Sequence, residues 1–311
     1  MNDLQDFDRY LDEQIWSPTT VTFYRYIVRR LLEWMGHNDL PFRDLEISHV
    51  KQFITKQAWG NSMSRKLNSV LVQYVHNRFG KGHPLNRWRV KREIAPPQRT
   101  LNGDQASKLL ASFHPGISDN YSNRARRFTI CDLNHPLGIR NLALLWMLLD
   151  TGFRSAEVCS LELAHLDLAN RTITGRVKFG KWRTAFFSER TADALEQWLN
   201  VRGDFANKKS NGKIFIGVMN GFEGVPLTSA GLRSMLRKLG VLTGTGALSP
   251  HDFRRGFATM AMRSGANIKV IQEAGGWSNS EMVLHYCRAI RAEEITPFLA
   301  GNTLQIKSPS Q

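Results

Sequence analysis

Residues 249–288 read SPHDFRRGFATMAMRSGANIKVIQEAGGWSNSEMVLHYCR, and the rest of the chain is organised around this stretch. Ser249 is a good N-cap, Pro250 suits the first helical position, and Asp252 sets negative charge against the positive end of the helix dipole. Phe253, Phe257 and Ala261 recur at i, i+4 and i+8, the stripe of a buried helix face. His251 and Arg254 stand three apart, so they project from neighbouring positions on one face. Gly265 stops that helix. A short apolar helix over 268–273 follows and is ended by Gly275 and Gly276. Ser278 and Glu281 have capping-box spacing for a third helix, with Trp277 just before the cap and Met282 placed to staple against it. Tyr286 lies on this third helix.

The 311 residues are enough for about two domains. Lys and Arg number 42 against 27 Asp and Glu, a formal charge of +15, and the pI is near 10.1. That balance argues against a soluble enzyme of small neutral substrates and points to nucleic acid. The basic residues are spread through folded-looking segments, which disfavours a membrane surface as partner. Cys131, Cys159 and Cys287 show neither metal nor disulfide spacing, as expected in a reducing compartment. The start, MNDLQDFD, lacks a signal-peptide pattern, and the longest apolar run, 142–149, is too short to span a bilayer. A cytoplasmic, nucleoid-associated protein is the expectation.

From Asp8 to about Val90 the pattern is helical. Pro18 opens a helix with Val21, Tyr24, Ile27, Val28, Leu31 and Leu32 on one face and Arg25, Arg29 and Arg30 on the other. Helices over 47–57 and 62–78 follow, the latter carrying Lys66. A charged helix face is ordinarily only solvated, but a set of such faces in so basic a chain suits a DNA backbone. Residues 91–99, KREIAPPQR, read as a linker, giving a helical domain over 1–90 and a second domain over 100–311. In the second, a helix ends near Phe113, and a polar loop over 114–136 carries Arg124, Arg126 and Arg127, which lean toward DNA contact. Helices over 137–150 and from Phe153 follow, and Arg154 and Glu157, three apart, can pair. Strand-like residues flank Lys178-Phe179-Gly180-Lys181, a hairpin with a basic turn. Helices over 191–202 and 227–239 lead to the Gly/Thr-rich loop before His251.

TGFRSAEV, the basic hairpin, PHDFRR, GGW and a tyrosine nine residues after the tryptophan occur in this order. The set resembles the tyrosine recombinase (phage integrase) family, and SPTTVTFYRY resembles the opening of its core-binding domain. The likeness spans nearly the whole chain. It implies a mainly α fold with a small β-sheet, in which a helical core-binding domain and a mixed α/β catalytic domain form a C-shaped clamp. Carried over by residue, Arg154 and Arg254 look like the two catalytic arginines, His251 like the histidine of the H-x-x-R box, and Tyr286 like the nucleophile. Lys178 looks like the hairpin lysine, with Lys181 across the same turn as the alternative. Glu157 looks like the acidic support of Arg154. Trp277 stands where many members have His and some have Trp, which leaves a donor but no titratable group.

The chemistry suits these residue types. Negative charge builds on the non-bridging oxygens of an attacked phosphodiester, and two guanidiniums can bind them with paired donors while staying charged. A phenol is mostly protonated at neutral pH, so Tyr286 needs a base, for which His251 is the candidate. Lys178 could protonate the leaving 5′ oxygen, and Trp277 could donate its indole N–H to phosphate. The resemblance implies no metal or cofactor, double-stranded DNA with inverted-repeat sites, and a homotetramer on synapsed DNA exchanging strands through a Holliday junction, with monomeric or weakly associated protein off DNA. Ile295, Pro297, Phe298 and Leu299 could dock on a neighbouring protomer. Two other readings stay open: a type IB-like topoisomerase, and a DNA-binding relative without activity.

Overall fold

The Ser17 hydroxyl accepts a hydrogen bond from the Thr20 N–H at 3.2 Å and Pro18 takes the first helical position, so a helix begins where the sequence places one. The computed structural model describes residues 3–93, 99–116, 130–177, 180–219 and 221–287. The chain divides into two units, Met1–Pro96 and Pro97–Gln311.

The N-terminal unit is built from α1 (Asp3–Asp12), α2 (Pro18–Gly36), α3 (Ile47–Lys56) and α4 (Asn61–Phe79). Its core gathers Phe7, Leu11, Ile27, Leu31, Phe53 and Leu71. Helix α1 starts five residues earlier than the apolar pattern suggests, because its aspartates are held by arginines: Asp8 and Asp12 lie 2.7 and 3.2 Å from Arg25, and Asp3 and Asp6 both lie 2.9 Å from Arg78.

The C-terminal unit contains α5 (Gly103–Leu110), α6 (Pro136–Thr151), α7 (Ser155–Ser160), β1 (Leu166–Asp167), β2 (Thr172–Arg176), β3 (Trp182–Phe186), α8 (Glu189–Arg202), α9 (Ser229–Leu242), α10 (Pro250–Arg263), α11 (Ile268–Gly275) and α12 (Ser280–Tyr286). Helix α6 is the hub. Leu137, Ala143, Leu144, Leu145, Met147 and Leu148 are buried along it, and it packs against α8 and α10. The antiparallel sheet has the order β1-β2-β3, with Ile173 opposite Ala185 and Arg176 opposite Trp182. Strand β1 escaped the sequence reading because two residues carry no alternation.

Three local expectations change. Asn279, not Ser278, caps α12, accepting from the Met282 N–H at 3.2 Å. Met282 is largely exposed and does not staple Trp277, which packs on α10 and α12 residues instead. Along α10 the 253/257/261 stripe is shared out: Phe253 enters the main core, while Phe257 and Ala261 pack on a second cluster of Ala258, Ile271, Trp277, Val283 and Cys287. Helix α5 stops at Leu110, short of Phe113. Among the described residues no helix is long and apolar enough to cross a membrane. Part of the expected linker, most of the 114–136 loop with Arg124, Arg126 and Arg127, and the segment with Ile295 to Leu299 lie outside the described residues.

Candidate active site

The site is assembled at helix ends. Helix α6 ends on Gly152 in the left-handed region, φ +57°, and a Cβ there would stand 2.8 Å from the Phe257 ring of α10. Only glycine satisfies both the backbone and the close approach. The carbonyl of Gly152 accepts from Arg254 Nη1 at 2.6 Å, tying α10 to the turn that delivers Arg154 two residues later. Arg154 sits at the N-cap of α7. Its backbone N–H donates to Glu157 Oε2 at 2.8 Å and its Nη1 to Glu157 Oε1 at 2.7 Å. Glu157 is buried and Arg154 half-exposed, so the carboxylate fixes one end of the guanidinium and leaves other donors facing outward.

Helix α10 opens with a capping box in which the Ser249 N–H donates to Asp252 Oδ2 at 2.7 Å. Its first turn presents His251 at the surface and Arg254 in the interior. Partial desolvation, then the fields of Arg255, Arg254 and Arg154, hold the His251 pKa below the ordinary histidine value, with Asp252 opposing. The imidazole is therefore neutral at physiological pH, as a proton acceptor must be. Burial pushes Arg254 down to about 9, with Arg154 and Arg183 adding to the shift and Glu157 and Tyr286 opposing it. It remains charged at neutral pH.

Helix α11 ends on Gly276, φ +63°. A Cβ on Gly275 would overlap the Trp277 indole, so the first glycine of GGW makes room for the ring. The indole lies 4.3 Å below the Arg254 guanidinium carbon, 6.2 Å from the Phe257 ring and 5.7 Å from the Tyr286 ring. Tyr286 is the last residue of α12, half-buried, and its carbonyl accepts from Thr259 Oγ1 at 3.3 Å. Arg254 Nε and Nη2 and Trp277 Nε1 are buried with no hydrogen-bond partner among the described residues. Each such donor costs about 1–3 kcal/mol, and acceptor oxygens of an anion would satisfy all three.

Arg154, His251, Arg254, Trp277, Tyr286 and Glu157 are thus brought together within one chain. The sequence reading missed one member, Arg183 of β3. It is buried, its guanidinium carbon lies 4.0 Å over the Phe153 ring, and its donors reach the carbonyls of Thr151 and Ala274. Burial lowers its pKa to about 10, with Glu157 opposing and Arg154 reinforcing. A signal was present: residues 183, 185 and 187 share a strand face, and arginine on a face shared with Ala185 and Phe187 marks a buried charge.

The other expected residues divide. Lys178 lies outside the described residues. Lys181 is exposed, its carbonyl closing the hairpin by accepting from the Val177 N–H at 2.7 Å. Arg25 is not a free basic residue but is engaged by Asp8 and Asp12. Arg29 is exposed, and the Lys66 ammonium lies 4.9 Å over the Phe23 ring.

The model of the phage integrase family matches residues 121–293. A tyrosine recombinase XerC from Bacillus pumilus is 35% identical over 277 residues, covering 88% of this chain and 87% of the relative. XerC from Oceanobacillus iheyensis is 28% identical over 283 residues, with 88% and 87% covered. Among solved structures, the XerH site-specific recombinase bound to a palindromic difH substrate superposes with a TM-score of 0.68 at 18% identity, covering 89% of this chain and 78% of that one. A lambda integrase dimer bound to a COC′ core site superposes with a TM-score of 0.67 at 14% identity, covering 91% and 75%. Both likenesses are of fold.

Proposed function

This chain belongs to the phage integrase family of tyrosine recombinases, and we propose that it is a site-specific DNA recombinase that cleaves and rejoins strands through a 3′-phosphotyrosine and a Holliday junction. The observation that carries this reading is the cluster itself: a tyrosine, a neutral histidine, the Arg154 guanidinium held by Glu157, and Arg254 and Trp277 with buried donors that have no partner among the described residues, all from one chain.

In the proposed reaction the Tyr286 oxygen attacks the scissile phosphorus as its proton passes to His251. Arg154 and Arg254 bind the non-bridging oxygens, where charge grows, and the Trp277 N–H adds one donor. The phosphorus–O5′ bond breaks, and Lys178 supplies the proton that leaves a 5′-hydroxyl. The reverse steps, with a 5′-hydroxyl from a partner strand, rejoin DNA. One phosphoester replaces another, so resealing needs no ATP. In this scheme the N-terminal unit holds DNA through exposed basic residues such as Arg29 and Lys66, and four protomers act on two inverted-repeat sites.

A nicked suicide duplex carrying the site, found by mapping DNA bound by the chain, tests the reading. Covalent adduct with exchanged product is expected. Adduct with relaxation alone would indicate a type IB-like topoisomerase, and binding without adduct a silent relative. Tyr286→Phe removes one oxygen, so it should abolish the adduct while site affinity stays within about twofold, a change under about 0.5 kcal/mol.

A further inference from the structure

Three segments deliver the groups of the site: the end of α6 leading to Arg154, the end of α11 leading to Trp277, and the β2–β3 hairpin. One side chain touches all three. Arg183 belongs to β3, two residues past Lys181 of the turn, and lies among α6 and α11 carbonyls. Its Nη1 and Nη2 donate to the Thr151 carbonyl at 3.2 and 3.3 Å, and Nη1 also reaches the Ala274 carbonyl. Thr151 is three residues before Arg154, and Ala274 three before Trp277.

The surroundings are shaped to this guanidinium. The Phe153 ring lies beneath it, and a Cβ on Gly276 would come within 2.8 Å of Arg183 Cδ. Among the described residues no carboxylate bonds to it, and its Nε is buried without a partner. Burying a guanidinium on carbonyls alone is expensive for stability, and an apolar side chain would fill the strand position at lower cost. What an apolar residue cannot do is hold two carbonyls at a fixed spacing, which requires a planar fork of donors. The Arg183 donors with partners go to the Thr151 and Ala274 carbonyls, on the segments that lead to Arg154 and Trp277, and not to the Tyr286 hydroxyl.

We propose that Arg183 is a positioning residue that clamps the α6 and α11 termini to the root of the hairpin, setting the spacing between Arg154 and Trp277 on which phosphate capture depends. The inference rests on the recombinase reading for its effect on chemistry, but not for the clamp itself.

Arg183→Lys keeps the charge and loses the fork, and Arg183→Gln loses both. Since misplacement by about 1 Å can cost about 10²-fold, Arg183→Lys should slow single-turnover adduct formation by that order while affinity for site DNA stays within about threefold. A duplex with sulfur in place of the bridging 5′ oxygen, whose thiolate leaves without a proton, should not restore the rate, because the defect lies on the phosphate side. Without DNA, amide exchange at 152–154 and 275–277 should quicken in both variants while the α6 and α8 interiors are unchanged. Adduct formation within about threefold of the parent, affinity lost in parallel with rate, rescue by sulfur, or unaltered exchange would each overturn the proposal. So would loss of the folded state in both variants, which would make Arg183 a core residue only. If the parent chain forms no adduct, the recombinase reading fails, and the exchange measurement still decides the clamp.

Discussion

Arg78 in the N-terminal unit and Arg254 in the C-terminal unit both pack over aromatic rings, 5.1 Å from Phe79 and 4.3 Å from Trp277. Their remaining partners differ in kind. Arg78 meets two carboxylates, Asp3 and Asp6, and the Tyr74 hydroxyl at 2.7 Å. Arg254 meets one carbonyl and keeps two donors unpartnered among the described residues, with Arg154 and Arg183 close enough to depress its pKa. A carbonyl orients a guanidinium without neutralising it. The first arrangement closes a fold; the second holds positive charge in readiness for an anion. Burial alone does not separate them, since Arg140 is also buried, on a carbonyl and an amide. The clustering of Arg154, Arg183 and Arg254 around a single carboxylate, Glu157, marks the site.

The sharpest break of this comparison is Arg254→Met. Loss of a preorganised donor to developing charge costs about 10²–10³-fold in rate, so adduct formation on the suicide duplex should fall at least that far. Stability should change little, because the lost bond to the Gly152 carbonyl is offset when a buried charge repelled by its neighbours gives way to an apolar chain of similar length. A denaturant midpoint clearly below that of the parent would show that Arg254 is structural, and the contrast with Arg78 would collapse.

His251 gives the next largest effect. Its depressed pKa means that the unfolded chain takes up the proton first as pH falls, so its contribution to stability is complete above about 6.5 and is lost as pH drops through the folded value. The same direction governs chemistry. Adduct formation at low DNA concentration should rise with pH and level off below about 6.5, and in His251→Gln this limb should vanish with a rate loss of about 10²-fold. A bound phosphodiester favours imidazolium, so the limb should move to higher pH at saturating DNA. A limb unchanged in His251→Gln belongs to another group.

How far the sequence reached depends on the kind of constraint. The helix starts at Pro18 and Pro250 and the stop at Gly276 were legible because capping and left-handed backbone are local. Arg154, His251, Arg254, Trp277 and Tyr286 were legible because their order and spacing match a family motif. The Asn279 cap was missed because two adjacent polar residues, Ser278 and Asn279, can each cap a helix and their local sequence does not choose between them. Arg183 was missed because its partners, Thr151 and Ala274, are 32 and 91 residues away in sequence. No local pattern reports carbonyls brought together by three separate segments.

On the N-terminal side the comparison predicts the reverse of Arg254. Arg78→Met leaves Asp3 and Asp6 without their cation at the α1–α4 junction, and hydrogen bonds to charged groups contribute about 1.5–3 kcal/mol. The partial exposure of all three side chains places the loss toward 1 kcal/mol. Unfolding followed by urea should show this decrease, with adduct formation per folded molecule unchanged. Arg25→Gln should do less, under about 1 kcal/mol, because Asp12 is mostly solvated and exposed pairs contribute little. Its affinity for site DNA carries the finer test. An arginine already committed to Asp8 and Asp12 has little charge to offer a phosphate, whereas Arg29 on the same helix is exposed. Measured against salt, Arg29→Gln should reduce the slope of log affinity by up to about one phosphate contact, and Arg25→Gln should leave it unchanged. A slope that drops equally in both would mean that Arg25 abandons its aspartates for DNA, and that the ion pairs of α1 are exchangeable rather than closed.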